Sequence, residues 1–92
     1  MIIGFAHKGL EKFFKTGSTA GIQARHAKKL RVILNHLHKA PSVNDMNLPG
    51  ANLHPLKGDK KGLWAVSVNG NWRITFAFYD GDADIVDYVD YH

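Results

Sequence analysis

Six side chains of this sequence could together cleave a phosphodiester bond without a metal ion. They lie in HPLKGD at 54–59, in NWRITF at 71–76 and at the C-terminus, and they are His54, Lys57, Arg73, Asp90, Tyr91 and His92. Cleavage of RNA needs a base for the 2′-hydroxyl, an acid for the leaving 5′-oxygen and positive charge for the transition state. Two histidines, a carboxylate, a phenol, a lysine and an arginine can supply all three.

Each of these residues also has an ordinary explanation. His54 before a proline is most often a loop residue, and Lys57 is most often an exposed charge. Arg73 could form a surface salt bridge with Asp87 or Asp90 across a sheet, and Tyr91 could be a plain strand residue. The functional interpretation therefore depends on whether the fold brings the three segments together.

Three antiparallel strands are predicted to position these residues. The runs LWAVSVN, WRITFAFY and DIVDYVDY are separated by NGN and DGD, which are strong hairpin signals. In an antiparallel meander the start of one strand can lie near the end of the next but one. The segments that contain His54, Arg73 and Asp90 can therefore converge.

Alternation predicts which face each residue occupies. Trp64, Val66 and Val68 share a face with the series from Trp72 to Phe78 if a three-residue loop, 69–71, connects the strands, with positive φ at Gly70 or Asn71. The opposite face then carries small and polar side chains around one arginine: Ser67, Arg73, Thr75, Ala77 and Tyr79. A three-residue loop at 80–82 places Val86 and Tyr88 on the core side and Asp87, Val89 and Tyr91 beside Arg73, whereas a two-residue Asp80-Gly81 turn inverts this assignment.

Two amphipathic helices are predicted to cover the apolar face. MIIGF at 1–5 is a short strand candidate, and a helix at 8–16 places Leu10, Phe13 and Phe14 on one stripe before Gly17. A second helix at about 22–39 has an apolar face formed by Ala27, Leu30, Ile33, Leu34 and Leu37, and it ends before Pro41. Residues 41–62 are predicted to be a long, turn-rich connection, with one helical turn near Asp45. The fold class is α+β.

The charge of +4 is divided between a basic front and an acidic tail. Residues 1–61 hold eleven Lys or Arg against three acidic residues, whereas residues 62–92 hold only Arg73 against five aspartates. A polyanionic partner would contact the basic outer faces of the helices. The candidate cations are Lys8, Lys12, Lys15, Arg25, Lys28 and Lys29.

Length and composition indicate one domain over residues 1–92. The 45% hydrophobic content suffices for a packed core, and the absence of cysteine excludes a disulfide framework and thiolate metal sites. With no basic and apolar leader and no membrane-length apolar run, a cytoplasmic protein is expected. His36 and His38 are two apart on a helix and do not face each other. Asp90 and His92 could point the same way from a strand, but no carboxylate-rich cluster accompanies them, so no metal or other cofactor is expected. His7 and His26 are expected at the surface, without a role.

The segments LHPLKGDKKGLWAVSVNGNWRITFAF and VDYH resemble the HigB-type toxins of the RelE superfamily. The resemblance covers essentially the whole chain, and its most specific parts are L-x-x-L-x-G-D, W-R-I and the terminal D-Y-H. It implies a RelE-like βααβββ fold with two N-terminal helices packed on one face of a mainly antiparallel sheet. It also implies that His54 and Lys57 belong to a catalytic loop, that Arg73 faces phosphate, and that Asp90, Tyr91 and His92 form a functional C-terminus.

The function that this resemblance implies is mRNA cleavage in the ribosomal decoding site. The partners implied are the ribosome and its rRNA, the mRNA, and a HigA-like antitoxin with a helix-turn-helix DNA-binding domain. The products expected from attack by the 2′-hydroxyl are a 2′,3′-cyclic phosphate and a 5′-hydroxyl. The alternative is a module of the same fold that binds RNA or protein without cutting, which needs cations but no pair of proton-transferring histidines.

Overall fold

The computed structural model of this chain describes residues 1–91, and its core is a four-stranded antiparallel sheet covered by two helices. The strands are β1 (His54–Pro55), β2 (Leu63–Asn69), β3 (Trp72–Tyr79) and β4 (Asp82–Asp90), and they lie in the order β1-β2-β3-β4. The helices are α1 (Lys8–Thr16) and α2 (Ala27–Lys39). The predicted α+β architecture is confirmed, and no helix among residues 1–91 is long and apolar enough to cross a membrane.

The two helices form where the sequence predicts them, with one difference in length. Helix α1 ends at Gly17, whose φ of 81° is a left-handed conformation that glycine adopts without strain. Helix α2 buries Leu30, Ile33, Leu34 and Leu37, as predicted. It begins later than position 22, because residues Ala24–His26 form a 3₁₀ turn that precedes it. The helical turn predicted near Asp45 is the 3₁₀ turn Val43–Met46, which has a capping box from Ser42 and Asp45.

The N-terminal segment is only partly a strand. Ile2 and Phe5 form isolated parallel bridges with Ala83 and Val86 of β4, so MIIGF extends the sheet at that edge without a continuous ladder. At the opposite edge the sequence predicted a loop, but His54–Pro55 forms β1 and pairs with Ala65 and Trp64. A residue before proline prefers an extended backbone, which suits this short strand.

The hairpin between β2 and β3 has the predicted register and a different turn. Pairs such as Trp64 with Phe76 and Ser67 with Arg73 place the tryptophan and phenylalanine on one face. A β-bulge between Ser67 and Asn69 then shifts the register, so that Asn69 pairs with Trp72 and the loop has two residues, not three. Gly70 has a φ of 55°, in agreement with the prediction of positive φ at Gly70 or Asn71.

A second bulge decides the faces of β4. Tyr79 pairs with Asp82, so the turn is the two-residue Asp80-Gly81 turn that would have inverted the strand. The register shifts again between Thr75 and Ala77 of β3, opposite Ile85, whose φ is 44°. Because a bulge adds one residue to one strand, it restores the alternation that the longer loop was expected to produce. Val86 and Tyr88 are buried on the helix side, and Asp87 and Val89 pair with Thr75 and Arg73.

Candidate active site

The face of the sheet opposite the helices carries His54 and Arg73, two of the residues predicted to do chemistry. Its central row of paired residues runs from His54 through Ala65 and Thr75 to Asp87. The next row contains Ser67, Arg73 and Val89. Beyond it the backbone N–H of Tyr91 donates to Asn71 O at 2.8 Å, so β4 continues toward that end of the face. We call this surface the open face.

Small side chains form the floor of the open face. Ala65, Thr75 and Ala77 are buried, yet none of them belongs to the hydrophobic core beneath the helices. The prediction of a small and polar face around Arg73 is correct in composition, whereas burial of its centre was not predicted. Because these three side chains have almost no exposed surface, other residues of the chain cover the centre of the open face.

His54 is held in a defined orientation at the edge of this face. Its Nδ1 lies 2.8 Å from the carbonyl oxygen of Asn52. A carbonyl oxygen can only accept, so Nδ1 carries the proton of the neutral ring and Nε2 carries the lone pair. Asn52 has a φ of 51°, a left-handed conformation that asparagine tolerates better than most residues. His54 therefore presents Nε2 as a proton acceptor or, when charged, as a donor.

Arg73 lies on β3, between β2 and β4, close to the turn that joins β2 to β3. Its Nη1 donates to Gly70 O at 2.6 Å and to Trp72 O at 3.1 Å. The salt bridges within residues 1–91 do not include one between Arg73 and Asp87, and the Asp87 carboxylate instead accepts from the Tyr88 N–H at 2.8 Å. With strands about 4.8 Å apart and residues about 3.4 Å apart along them, the Cα atoms of His54 and Arg73 are roughly 12 Å apart. A ribose and its phosphate fit between two side chains at that spacing.

The C-terminal residues are divided between the two faces. Tyr91 continues the alternation after Val89 and lies on the open face, as predicted. Asp90 pairs with Trp72 and lies on the helix side, in a cleft of about 260 Å³ that is lined by Arg25, Asn69, Gly70, Asn71, Trp72 and Asp90. The predicted role of His92 concerns a residue outside the described part of the chain.

The loop before β2 contains Lys57 and Lys60, of which Lys60 contacts Tyr91. Lys57 is exposed and precedes the 3₁₀ turn Gly58–Lys60. Lys60, which was not among the predicted site residues, places Nζ 3.4 Å from the Tyr91 hydroxyl and 5.2 Å from the centre of its ring. The sequence contained one signal for it, the three lysines among residues 57–61.

The prediction that His26 is a surface residue is wrong. His26 is 2% exposed, its Nδ1 lies 2.5 Å from the Tyr88 hydroxyl, and Nε2 has no hydrogen-bond partner among the described residues. Burial, followed by the nearby charges of Arg25 and Lys29, lowers the pKa of His26. Burial likewise raises the pKa of the Tyr88 hydroxyl. The pair is thus neutral and joins the start of α2 to β4.

His7 has a structural role that the sequence did not predict. It is half-buried, and its Nδ1 accepts a hydrogen bond from the Leu10 N–H at 3.0 Å, so it caps α1. His38 similarly accepts from the Ile2 N–H at 3.2 Å. Within residues 1–91, no group of three or more histidine, aspartate or glutamate side chains is arranged to hold a metal ion.

The cations predicted to bind rRNA are all exposed. They lie on α1 and on the N-terminal part of the second helical segment, and they are Lys8, Lys12, Lys15, Arg25, Lys28 and Lys29. Lys15 forms a salt bridge of 2.9 Å with Glu11. This basic surface lies on the side of the sheet opposite the open face.

Comparison with known proteins assigns the family. Residues 3–92 match the HigB-like toxins, described as the RelE-like toxin of type II toxin-antitoxin system HigB. The chain is 44% identical over 92 residues to endoribonuclease HigB of Proteus vulgaris, with both chains covered completely. The fold is similar to YafQ from E. coli (TM-score 0.59, 15% identity) and to a YafQ mutant from E. coli (TM-score 0.57, 20% identity), each alignment covering 98% of this chain and 91% of the other. The chain therefore belongs to the HigB family of RelE-like toxins of type II toxin-antitoxin systems.

Proposed function

We propose that this protein is an endoribonuclease toxin that cuts mRNA in the decoding site of the ribosome and so arrests translation. The observation that carries the proposal is the sheet register, in which His54 and Arg73 share the open face and Tyr91 follows in the alternation of β4. Full-length similarity to a relative named endoribonuclease HigB supports the same activity.

The reaction we propose is attack of the ribose 2′-hydroxyl on the adjoining phosphorus. One histidine removes the 2′ proton, the bond between phosphorus and the 5′-oxygen breaks, and the other histidine protonates that oxygen. The products are a 2′,3′-cyclic phosphate and a 5′-hydroxyl. His54 and His92 are the proposed pair, and Asp90 is proposed to orient His92 or to favour its charged form.

Arg73 and Lys57 are proposed to bind the scissile phosphate. Negative charge accumulates on the equatorial oxygens in the transition state, where fixed cations stabilise it. Arg73 has a planar fork that can bind two phosphate oxygens, and its present contacts are to backbone carbonyls that a phosphate can replace. Tyr91 is proposed to contact the substrate from the end of the face.

The basic surface of the helices is proposed to dock on rRNA. Ribosome binding by Lys8, Lys12, Lys15, Arg25, Lys28 and Lys29 would leave the open face directed at the mRNA, because the two surfaces lie on opposite sides of the sheet. We further propose neutralisation by a HigA-like antitoxin with a helix-turn-helix domain. Competition between antitoxin and an RNA fragment tests how it acts, since simultaneous binding would exclude direct blockage of the site.

The test is cleavage of a defined mRNA, free and ribosome-bound, with the chemical groups at the fragment ends identified. We expect cutting only on the ribosome, with a 2′,3′-cyclic phosphate on the upstream fragment and a 5′-hydroxyl on the downstream fragment. A 3′-hydroxyl and a 5′-phosphate at the cut, the ends left by metal-activated water, would contradict the metal-independent mechanism. Ribosome binding without any cleavage would favour the non-catalytic binding module.

A further inference from the structure

We propose that Lys60 is a substrate-positioning residue. In the free protein its ammonium group contacts Tyr91, and when substrate binds the ammonium group moves from Tyr91 to an RNA phosphate. This inference rests on the proposed function, because it assumes that RNA occupies the open face. Its first part, the contact with Tyr91, is a property of the free protein. The two parts can therefore be tested separately.

The contact between Lys60 and Tyr91 connects two distant parts of the chain. Lys60 Nζ lies 3.4 Å from the Tyr91 hydroxyl oxygen, within reach of a hydrogen bond, and 5.2 Å from the ring centre, within the range of a cation–π contact. Tyr91 is half-buried and Lys60 is exposed. The ammonium group can therefore exchange partners without leaving a buried charge unpaired.

The positions of these residues require the loop to cross the open face. Lys60 lies just before Leu63, which pairs with Ala77 at one end of β3, and Tyr91 follows Asp90, which pairs with Trp72 at the other end. Five residues of a strand span roughly 17 Å, and two strand spacings add about 10 Å across the sheet. Two side chains so placed meet only if residues 57–62 fold back over the face. The burial of Ala65, Thr75 and Ala77 on the same face agrees with such a crossing.

The backbone of the crossing loop is shaped by glycines at its two ends. Gly58 has a φ of 68° and Gly62 a φ of 98°, both in the region that glycine adopts without steric cost. A Cβ atom at either position would meet no atom within 4 Å, so conformation rather than space selects glycine there. Lys60 lies within this short loop and Lys57 begins it, so the loop carries the two lysines proposed to contact phosphate.

The contact between Lys60 and Tyr91 is weak enough for Lys60 to exchange it for a contact with phosphate. An exposed cation–π contact is weak, whereas a charge-assisted hydrogen bond to phosphate is stronger and shorter. An incoming phosphate close to the Tyr91 hydroxyl would therefore attract Lys60 away from the ring. The same movement would close the loop on the RNA and leave the phenol free to bind the substrate.

The experiment compares Lys60→Ala with Lys61→Ala, which removes the same charge from the same loop. In the free protein, NMR of the tyrosine rings should show a shifted Tyr91 signal in Lys60→Ala, with Tyr79 and Tyr88 unchanged as internal references. Lys61→Ala should leave all three rings as in the wild type. An unchanged Tyr91 signal in Lys60→Ala would overturn the proposed contact.

The second measurement titrates the wild type with a short RNA carrying a 2′-deoxy ribose at the cleavage position. Lys60 side-chain signals should move on binding, and Lys60→Ala should weaken binding by roughly 5–20-fold while Lys61→Ala changes it less than 2-fold. In cleavage assays we expect the loss mainly in KM, with partial rescue by Lys60→Arg. Equal losses in both alanine variants would overturn the role of Lys60.

These outcomes separate this inference from the proposed function. If the wild type binds the RNA analogue with movement of Lys60 but never cuts mRNA on ribosomes, catalysis is contradicted and the role of Lys60 in binding stands. If mRNA is cut while Lys60 signals stay fixed on RNA binding, the proposed function stands and the exchange of partners is wrong.

Discussion

The two faces of the sheet are buried for different reasons. On the helix side, Val66, Ile74, Phe76 and Val86 are large side chains with almost no exposed surface, packed against the leucines of α2. On the open face, Ala65, Thr75 and Ala77 are small side chains that are buried although they lie outside the core beneath the helices. Residues of β3 alternate between the two faces, so one strand serves stability at every second position and the proposed chemistry at the others. Substitutions along β3 should therefore alternate in their effects.

The largest effect is expected from Phe76→Ala, on the helix side. Removal of a fully buried phenylalanine should lower the free energy of unfolding by about 3–5 kcal/mol, because transfer energy is lost and a cavity remains. Urea denaturation measures this change. The matched control is Tyr79→Ala, which alters an aromatic residue of the same strand that is 61% exposed and should cost less than about 1 kcal/mol. Similar losses in both variants would contradict the assignment of the faces.

The next largest effect is expected from Arg73→Ala, on the open face. The single-turnover rate of mRNA cleavage should fall by roughly 10–1000-fold, since a cation that stabilises the transition state is removed. Arg73→Lys should recover only part of the rate, because lysine lacks the planar fork. Thermal melting should change little, given that Arg73 contacts only backbone carbonyls of the hairpin among the contacts described. Full-rate cleavage by Arg73→Ala would show that the open face is not the reaction surface.

A smaller effect is expected on ribosome binding from the basic surface of α2. Replacement of Lys28 and Lys29 by alanine should reduce the slope of log affinity against log salt by about 1.4–1.8 if both residues contact phosphates. Lys39→Ala provides the control, because Lys39 is an exposed cation at the other end of α2. A salt dependence equal to that of the wild type after the double substitution would remove these lysines from the interface.

The smallest effect is expected from protonation of His26. Its pKa is lowered in the folded protein, so the unfolded chain binds a proton first as the pH falls below about 6.5. The stability associated with neutral His26 is therefore present at higher pH and is lost as the pH decreases. In His26→Asn the decline in melting temperature from pH 7 to pH 5 should be shallower, while His7 and His38 remain as common background. If the melting temperatures of the wild type and of His26→Asn decline equally from pH 7 to pH 5, His26 does not contribute to the pH dependence of stability.

Local patterns predicted most of the fold, and the rest depends on contacts between distant residues. Alternation in β2 and β3 and the apolar stripes of α1 and α2 are encoded within single segments, so they were predictable. The bulge at Ile85 was not, because its position depends on how β4 fits against β3 and the N-terminal bridges. The burial of His26 depends on Tyr88, which is 62 residues away in the chain.

The same distinction applies to the candidate site. Residue types and a family resemblance predicted His54, Arg73 and Tyr91; the register places His54 and Arg73 on one face, and Tyr91 follows in the alternation of β4. Lys60 was missed because its importance arises only when the loop crosses the sheet and meets Tyr91. The roles of Lys57, Asp90 and His92 stay predictions, and His92→Gln in the cleavage assay tests the last of them.

The most direct test of the account is ribosome-bound mRNA cleavage by His54→Ala beside His36→Ala. Both variants remove a histidine, but His54 lies on the open face with Nε2 available, whereas His36 is exposed on α2. We expect His54→Ala to reduce the single-turnover rate by about 10²–10⁴-fold, the range for loss of a general acid or base, with the fold retained in thermal melting. His36→Ala should cut at the wild-type rate. If His54→Ala cuts mRNA as fast as His36→Ala, the open face does not carry the proton-transfer chemistry proposed for it.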